Sequence, residues 1–444
     1  MLCHELDWVE PGTAFRALAG HGPMVFLDSA AQPDPRSAFS YIALQPFSVL
    51  RLGKAPLKSA QDLPAWLTAA RPPDAACPET WPFPFKGGAI GWLGYESGLA
   101  LRGLETRHPP IPGLPAGWFG MFDLVLGFDH AARRCFALAA DRPDTGAAER
   151  IAALAGHLAV PPPEWEPLPR LDWRAELPRT RYQAQVENLR AYIAAGDVYQ
   201  ANFTTRFLSP RPPGFNPAAC HEALRLRSPA PFAAFIDTGE GVALCSASPE
   251  RFLSLDASGQ VETRPIKGTA PRHEDPAQDA ANARALRENP KERAENLMIT
   301  DLLRNDLGQV CAIGSVQVPE LFAVEHFAQA HHLVSAVTGR LRPGVSAAEL
   351  LLAAFPGGSI TGAPKRRAMQ IIDELEAGPR GAYCGAIAWI GLDGAMDSSI
   401  IIRTITATPD TLYAQAGGGI TWDSNPAAEY EEMMLKLSPL IANG

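Results

Sequence analysis

Two short patterns in this chain place acidic side chains in pairs at the start of a helix. Asn289-Pro290 supplies a capping side chain and a proline suited to the first helical position, so a helix is predicted from there to about Gly308. Glu292 and Glu295 lie in its first turns, three residues apart and therefore on one face. Asn425-Pro426 opens a second helix in the same way, with Glu429 and Glu432 at the same spacing and Lys436 one turn further along the stripe. The other side of that helix carries Tyr430, Met433, Met434 and Leu437, an apolar face for a core. Glutamates in a first turn can simply complement the helix dipole while solvated. Two such pairs in one chain admit a second reading, in which they converge on a hard cation. Magnesium takes one or two protein carboxylates, keeps several waters and completes its shell with substrate oxygens. That reading calls for an anionic substrate.

A second constellation sets a carboxylate and a lysine across a hairpin. Residues 246–255 read as a strand and 261–266 as its partner, with the turn at 256–260. Facing positions in such a hairpin have numbers that sum to about 516, which puts Glu250 opposite Ile266 and beside Lys267. A lysine closing a strand can be an ordinary surface residue. Next to a carboxylate in a cleft it can be a nucleophile or a general base, provided burial and neighbouring cations bring its pKa down from ~10.4. Further along, 398–408 is a long β-type run, and counting by twos puts Arg403 on the face of Ile401, Ile405 and Ala407. An arginine turned inward needs a partner, which is either a core carboxylate or the carboxylate of a ligand. The next strand ends in Gly417-Gly418-Gly419, whose bare backbone can bring N–H donors to the same anion.

The elements that must carry these residues sit in a chain of 444 residues, long enough for one large core or for two or three domains. A hydrophobic share of 46% with 20% charged residues is globular, and no stretch approaches the ~18–20 apolar residues of a membrane span. The net charge of -9 speaks against a nucleic-acid partner. The acidic start, Met1 to Glu10, lacks the basic region of a secretory signal. Seven cysteines occur without a C-x-x-C pair, so neither a zinc site nor a disulfide framework is expected. These features together predict a reduced, cytoplasmic enzyme. The prolines between about 141 and 180 mark a linker containing a short Ala-rich helix. It separates a β-rich region, 1–140, from a catalytic region, 181–440. Residues 24–27 and 122–128 read as strands, and Asp393-Gly394 and Pro409-Asp410 as hairpin turns. Strands joined by hairpins with helices among them predict an α+β fold with large antiparallel sheets. Of two glycine-rich segments, 87–94 lacks the dinucleotide-binding spacing, is followed by no obvious helix at Tyr95-Glu96, and reads as a packed strand. The other, 357–365, has Ala363-Pro364 where a phosphate loop needs lysine and then serine or threonine.

Several motifs stand together in one order. They are Gly196-Asp197-Val198-Tyr199-Gln200-Ala201-Asn202, Ser248-Pro249-Glu250-Arg251-Phe252, Pro265-Ile266-Lys267-Gly268-Thr269 and Ala294-Glu295-Asn296-Leu297-Met298. His331-His332-Leu333-Val334-Ser335, the 357–365 segment, Arg403-Thr404 and 429–436 follow. Over about 182–436 the chain thereby resembles the chorismate-utilising enzymes. The resemblance implies a sandwich-like core of large antiparallel sheets flanked by helices. It also implies magnesium on Glu295 and Glu432, with Glu292 and Glu429 in support, holding the ring carboxylate of chorismate together with Lys436 and the backbone at Thr361 and Gly362. Arg403, Tyr383, Gly268, Thr269 and Gly417, Gly418 and Gly419 would hold the enolpyruvyl carboxylate, His332 would line the ring, and Glu250 would protonate the departing C4 hydroxyl. Water-adding members carry a lysine where this chain has Gln200, so the resemblance implies an ammonia user. Anthranilate-forming members read Pro-Ile-Ala-Gly-Thr where this chain has Lys267. A lysine there implies attack on C2 and formation of 4-amino-4-deoxychorismate, on the route to 4-aminobenzoate and folate, with anthranilate formation as the alternative. Ammonia would come from a glutaminase partner. Some members keep a tryptophan pocket, matched here by Ser29 and by Pro231 within Ser228-Pro229-Ala230-Pro231-Phe232.

Overall fold

The computed structural model describes residues 1–29, 38–53, 56–72, 76–326 and 330–442. Its central strands are buried on both faces, and among the described residues the strands form two large antiparallel sheets of twelve and ten strands. In the larger sheet Met24–Asp28 pairs with Phe232–Asp237, which pairs in turn with Ala243–Ser248. The order continues through Thr404–Ala407 and Thr411–Ile420 to Gln200–Pro210. In the smaller sheet Gly88–Leu93 pairs with Ala386–Gly391, and the order runs through Met396–Ile400, Arg251–Leu255 and Gln260–Thr263 to Ala330–Arg340 and Ile266–Pro271. Each sheet therefore draws strands from both sides of the proline-rich stretch. The expected α+β class with large antiparallel sheets and flanking helices is the fold observed.

Alternation along the strands divides the core into layers. Phe26 stacks on Phe15 of the helix Pro11–Leu18, at 4.9 Å between ring centres, on the outer face of the larger sheet. Its neighbour Val25 points the other way, into a layer shared with Ala234 and Ile236 of the same sheet and Ile90, Trp92, Trp118 and Ile387 of the other. That layer holds the two sheets face to face.

Three stretches that read as continuous strands are each two strands lying in different sheets. The chain passes from sheet to sheet at Asp123, at 249–250 and at 401–403. Asp123 is buried between Arg142 and Arg150. The other two crossings run side by side, with the Ser248 hydroxyl donating to the Ile400 carbonyl at 2.6 Å and the Ile400 N–H to the Glu250 carbonyl at 3.1 Å. Each crossing carries a charged residue, Asp123, Glu250 or Arg403, and in sequence that residue looks like an ordinary polar position within one strand. A helix does follow the glycine-rich strand, over Tyr95–Leu101. No side chain caps it, and its first N–H is taken by the Gly381 carbonyl at 2.8 Å, a tertiary partner that local sequence does not reveal. The turns at Asp393-Gly394 and Pro409-Asp410 close hairpins as expected. All seven cysteines are free, and no described helix is long and apolar enough to cross a membrane.

Candidate active site

Both capped helices form. The Asn289 side chain accepts from the N–H groups of Lys291 and Glu292 at 3.0 and 3.3 Å. Asn425 does the same for Ala427 and Ala428 at 3.0 and 3.1 Å. Helix Pro290–Gly308 buries Asn296, Ile299 and Leu303, and Asn296 bonds the Leu333 carbonyl of the neighbouring strand at 3.3 Å. Helix Pro426–Ile441 buries Met433 and Leu437. With those faces turned to the core, the glutamates meet in one region. Burial raises the pKa of Glu295, and the charges of Glu292 and Glu429 raise it further against Lys267 and Lys291. Burial also raises Glu429, whose side chain accepts from the Ser424 hydroxyl at 2.6 Å, and the charge of Glu432 adds to it. Glu432, whose side chain is largely exposed, is held low against partial desolvation, chiefly by Lys436 at 2.7 Å. Among the described residues no three of these carboxylates close into a ready-made ion cage.

Lys267 lies on the strand Ile266–Pro271, and its Nζ donates to the Ser359 carbonyl at 3.3 Å. Its charge acts on Glu250, Glu295 and Glu432. Three carboxylates are thus within reach of its charge, two of them shared with Lys291. Glu250 and Lys267 come together by another path than a shared ladder. The hairpin register holds at Ser254↔Glu262 and Leu255↔Val261 and ends there, and Ile266 pairs with Val334 instead. Glu250 sits at the crossing between sheets. Burial raises its pKa, in opposition to the Ser359 side chain and to Lys267. Beside Lys267, Gly268 has φ of 83°, and a side chain there would begin 2.8 Å from Glu292 Oε2. Glycine is what lets the first helix approach this strand. The exposed Thr269 hydroxyl lies 3.1 Å from His332 Nδ1.

On the opposite side, Thr361 is buried, and its carbonyl takes the Asn202 N–H at 2.7 Å while Gly362 pairs with Ala201. Gly417, Gly418 and Gly419 lie on the adjoining strand, where Lys436 Nζ donates to the Gly417 carbonyl at 3.2 Å and Gly418 faces Glu429. Tyr383 is buried, and burial pushes its phenol well up. Arg403 departs from the expected inward position. It occupies the crossing with φ of 50° and an exposed side chain, so counting by twos does not apply to it. Desolvation still lowers its pKa with no charged partner among the described residues to offset it, which describes a side chain in an open cleft.

Sequence reading missed three contributors. Lys291 acts on Glu295, Glu429 and Glu432, and Ser359 serves both Lys267 and Glu250. The third is a fully buried ion pair, Arg380–Glu376. Arg380 donates to the carbonyls of Ile360 and Asn202, both at 2.8 Å, and Glu376 accepts from the N–H and hydroxyl of Thr204 at 3.0 and 2.8 Å. The pair ties the 357–363 segment to the strand Gln200–Pro210. In sequence it looks like any exposed i, i+4 pair.

Glu96 supports the same turn by accepting from the Arg380 N–H at 2.7 Å and the Gly381 N–H at 3.1 Å. Burial of its carboxyl lifts its pKa to about 7. A folded value above the unfolded one means that the stability from this group is full at acid pH and is lost as pH rises through about 7. Thermal melts between about pH 5 and 8 should therefore show the wild type losing stability relative to Glu96→Gln. Parallel curves would contradict this assignment.

Away from this region, Ser29 and Pro231 line a cavity of about 650 Å³ between the sheets, with Phe39, Tyr41 and the Arg251–Asp397 pair.

Residues 23–442 match the family model described as chorismate binding enzyme. The chain is 42% identical over 440 residues to aminodeoxychorismate synthase component 1 of Klebsiella aerogenes, covering 96% of this chain and 95% of that one. It is 47% identical over 376 residues to aminodeoxychorismate synthase of Streptomyces pristinaespiralis, covering 81% of this chain and 51% of that protein. Among solved structures, anthranilate synthase component I from Streptococcus pneumoniae superposes with a TM-score of 0.79 at 30% identity, over 93% of each chain.

Proposed function

Because the chain belongs to the chorismate-binding enzyme family, we propose that it converts chorismate and ammonia into 4-amino-4-deoxychorismate, with Lys267 as nucleophile and Glu250 as proton donor. The observation that carries this reading is one amine among Glu250, Glu295 and Glu432, with Glu250 half-buried and raised in pKa. Passing one proton from the Lys267 ammonium to the Glu250 carboxylate makes an amine and a carboxylic acid together. Both are then in the form that their task requires. The Lys267 amine attacks C2, the ring double bond shifts, and the C4 hydroxyl leaves as water with the proton of Glu250. Ammonia then attacks C4, the double bond shifts back, and the lysine amine departs. The enolpyruvyl group stays in place.

Arg403, Tyr383, Gly268, Thr269 and the backbone of Gly417 to Gly419 orient the enolpyruvyl carboxylate, and His332 lines the ring. Thr361, Gly362 and Lys436 serve the ring carboxylate. The donor set suits magnesium, since glutamates from two helices lie close enough for the charge of Glu429 to raise Glu295, and they offer hard oxygen donors. Glu295 and Glu432 would hold the ion, with Glu292 and Glu429 supporting them. When bound, it supplies neutralisation of the substrate carboxylate. A separate glutaminase supplies the ammonia, as the component 1 name of the Klebsiella relative suggests. The product feeds 4-aminobenzoate and folate synthesis in the cytoplasm, a placement with which seven free thiols agree. The cavity at Ser29 and Pro231 takes tryptophan.

Purified chain with chorismate and magnesium should turn over with ammonium at raised pH and not with glutamine. Product mass and glutamine consumption read this out. Glutamine hydrolysis by the isolated chain would contradict the need for a partner. A hydroxylated product would contradict amination, and anthranilate would move the assignment to the other branch.

A further inference from the structure

We propose that Gln200, Asn202 and Thr421 form a seat for the attacking ammonia, a reading that rests on amination as the reaction. In the ladder between Gln200–Pro210 and Thr411–Ile420, Ala201 faces Ile420 and Asn202 faces Gly419. The ladder ends at that first pair, and Gln200 and Thr421 are the next positions beyond it on the two chains. Alternation then sends the side chains of 200, 202 and 421 to the same face as the bare Gly419. The Gln200 amide nitrogen fills the space where a side chain on Gly419 would begin. On this face Gln200 Oε1, Asn202 Oδ1 and Thr421 Oγ1 are all buried, and none has a hydrogen-bond partner among the described residues. Gln200 and Asn202 are only 1% and 9% exposed.

Buried oxygens without donors are rare and costly, and three at one end of one ladder point to a donor from outside the chain. Ammonia brings three N–H bonds and one lone pair. Three acceptors engage the N–H bonds and leave the lone pair free to attack. Water has only two O–H bonds and cannot donate to all three oxygens at once, so the Thr421 hydroxyl would have to turn and donate to it instead. Its position is held by neighbours already in the site. The Asn202 carbonyl is bonded by Arg380 at 2.8 Å and its N–H by the Thr361 carbonyl at 2.7 Å.

The test is the ammonium dependence of the full chain at fixed pH with saturating chorismate and magnesium, for wild type, Thr421→Val and Asn202→Ala. Each variant loses one acceptor, so its KM for ammonium should rise roughly three- to ten-fold. KM for chorismate should stay the same, and in Thr421→Val the melting temperature should not fall, because no partner is stranded. Thr421→Val keeps the side-chain shape and guards against a folding effect in the other variant. An unmoved ammonium KM in both variants, or a chorismate KM that rises equally, would overturn the seat alone. No ammonium-dependent turnover by the wild type would overturn amination, and the seat with it.

Discussion

Wild-type enzyme given chorismate without ammonia should accumulate a covalent adduct on the peptide containing Lys267, with the mass of chorismate less one water, and Lys267→Ala should form none. The expectation follows from the Lys267 amine lying within electrostatic reach of Glu250 in a site where the second nucleophile has yet to arrive. Loss of the lysine also removes the proton that Glu250 would pass to the leaving hydroxyl. The variant should therefore lose at least what a missing positioned acid or base costs, about 10²–10⁴-fold in turnover. The remaining groups still bind and orient the substrate, so residual amination should persist above background. Part of it should move to C2, where the lysine no longer competes with ammonia. Intact-protein mass spectrometry and product analysis on both forms decide the matter. No adduct under any quench, with the alanine variant at full speed, would make Lys267 a bystander and bring anthranilate formation to the front.

Chelator-treated protein should be inactive, and magnesium should restore turnover while raising the melting temperature. In Glu295→Ala and Glu432→Ala both responses should be lost. The basis is the like charge gathered at the two helix starts, where burial and neighbouring carboxylates raise Glu295 and Glu429 against Lys267, Lys291, Lys436 and the Ser424 hydrogen bond. An ion that binds only the folded chain stabilises it by about 2.7 kcal/mol at a hundredfold excess over Kd. The thermal response is therefore readable without turnover. Full activity in excess chelator would sink the metal requirement. An equal rise in melting temperature for wild type and both variants would show that magnesium binds elsewhere.

The two helix starts were legible because a cap is built within four residues. Asn289 and Asn425 bond N–H groups two and three positions on, so their sequence neighbourhood contains the whole interaction. The turn at 256–260 was legible for the same reason, and its register holds at residues 254 and 255. It did not extend to Glu250, because the chain had by then changed sheets. Arg403 was misplaced by the neighbouring crossing, where φ of 50° ends the alternation that the count assumed. Arg380 and Glu376 carried no signal, since their partners Ile360, Asn202 and Thr204 lie far off in the chain.

Residue order alone was enough to set the inventory of reactive groups, the local elements bearing most of them and the antiparallel character of the sheets. The crossings, and with them the meeting of Lys267 with Glu250, Glu295 and Glu432, were decided by tertiary structure. An apolar strand buried on both faces reads as a continuous apolar run whichever partner takes its hydrogen bonds. For Met24–Asp28 that partner is Phe232–Asp237, some two hundred residues away. Only the closing of the core between the two sheets selects it.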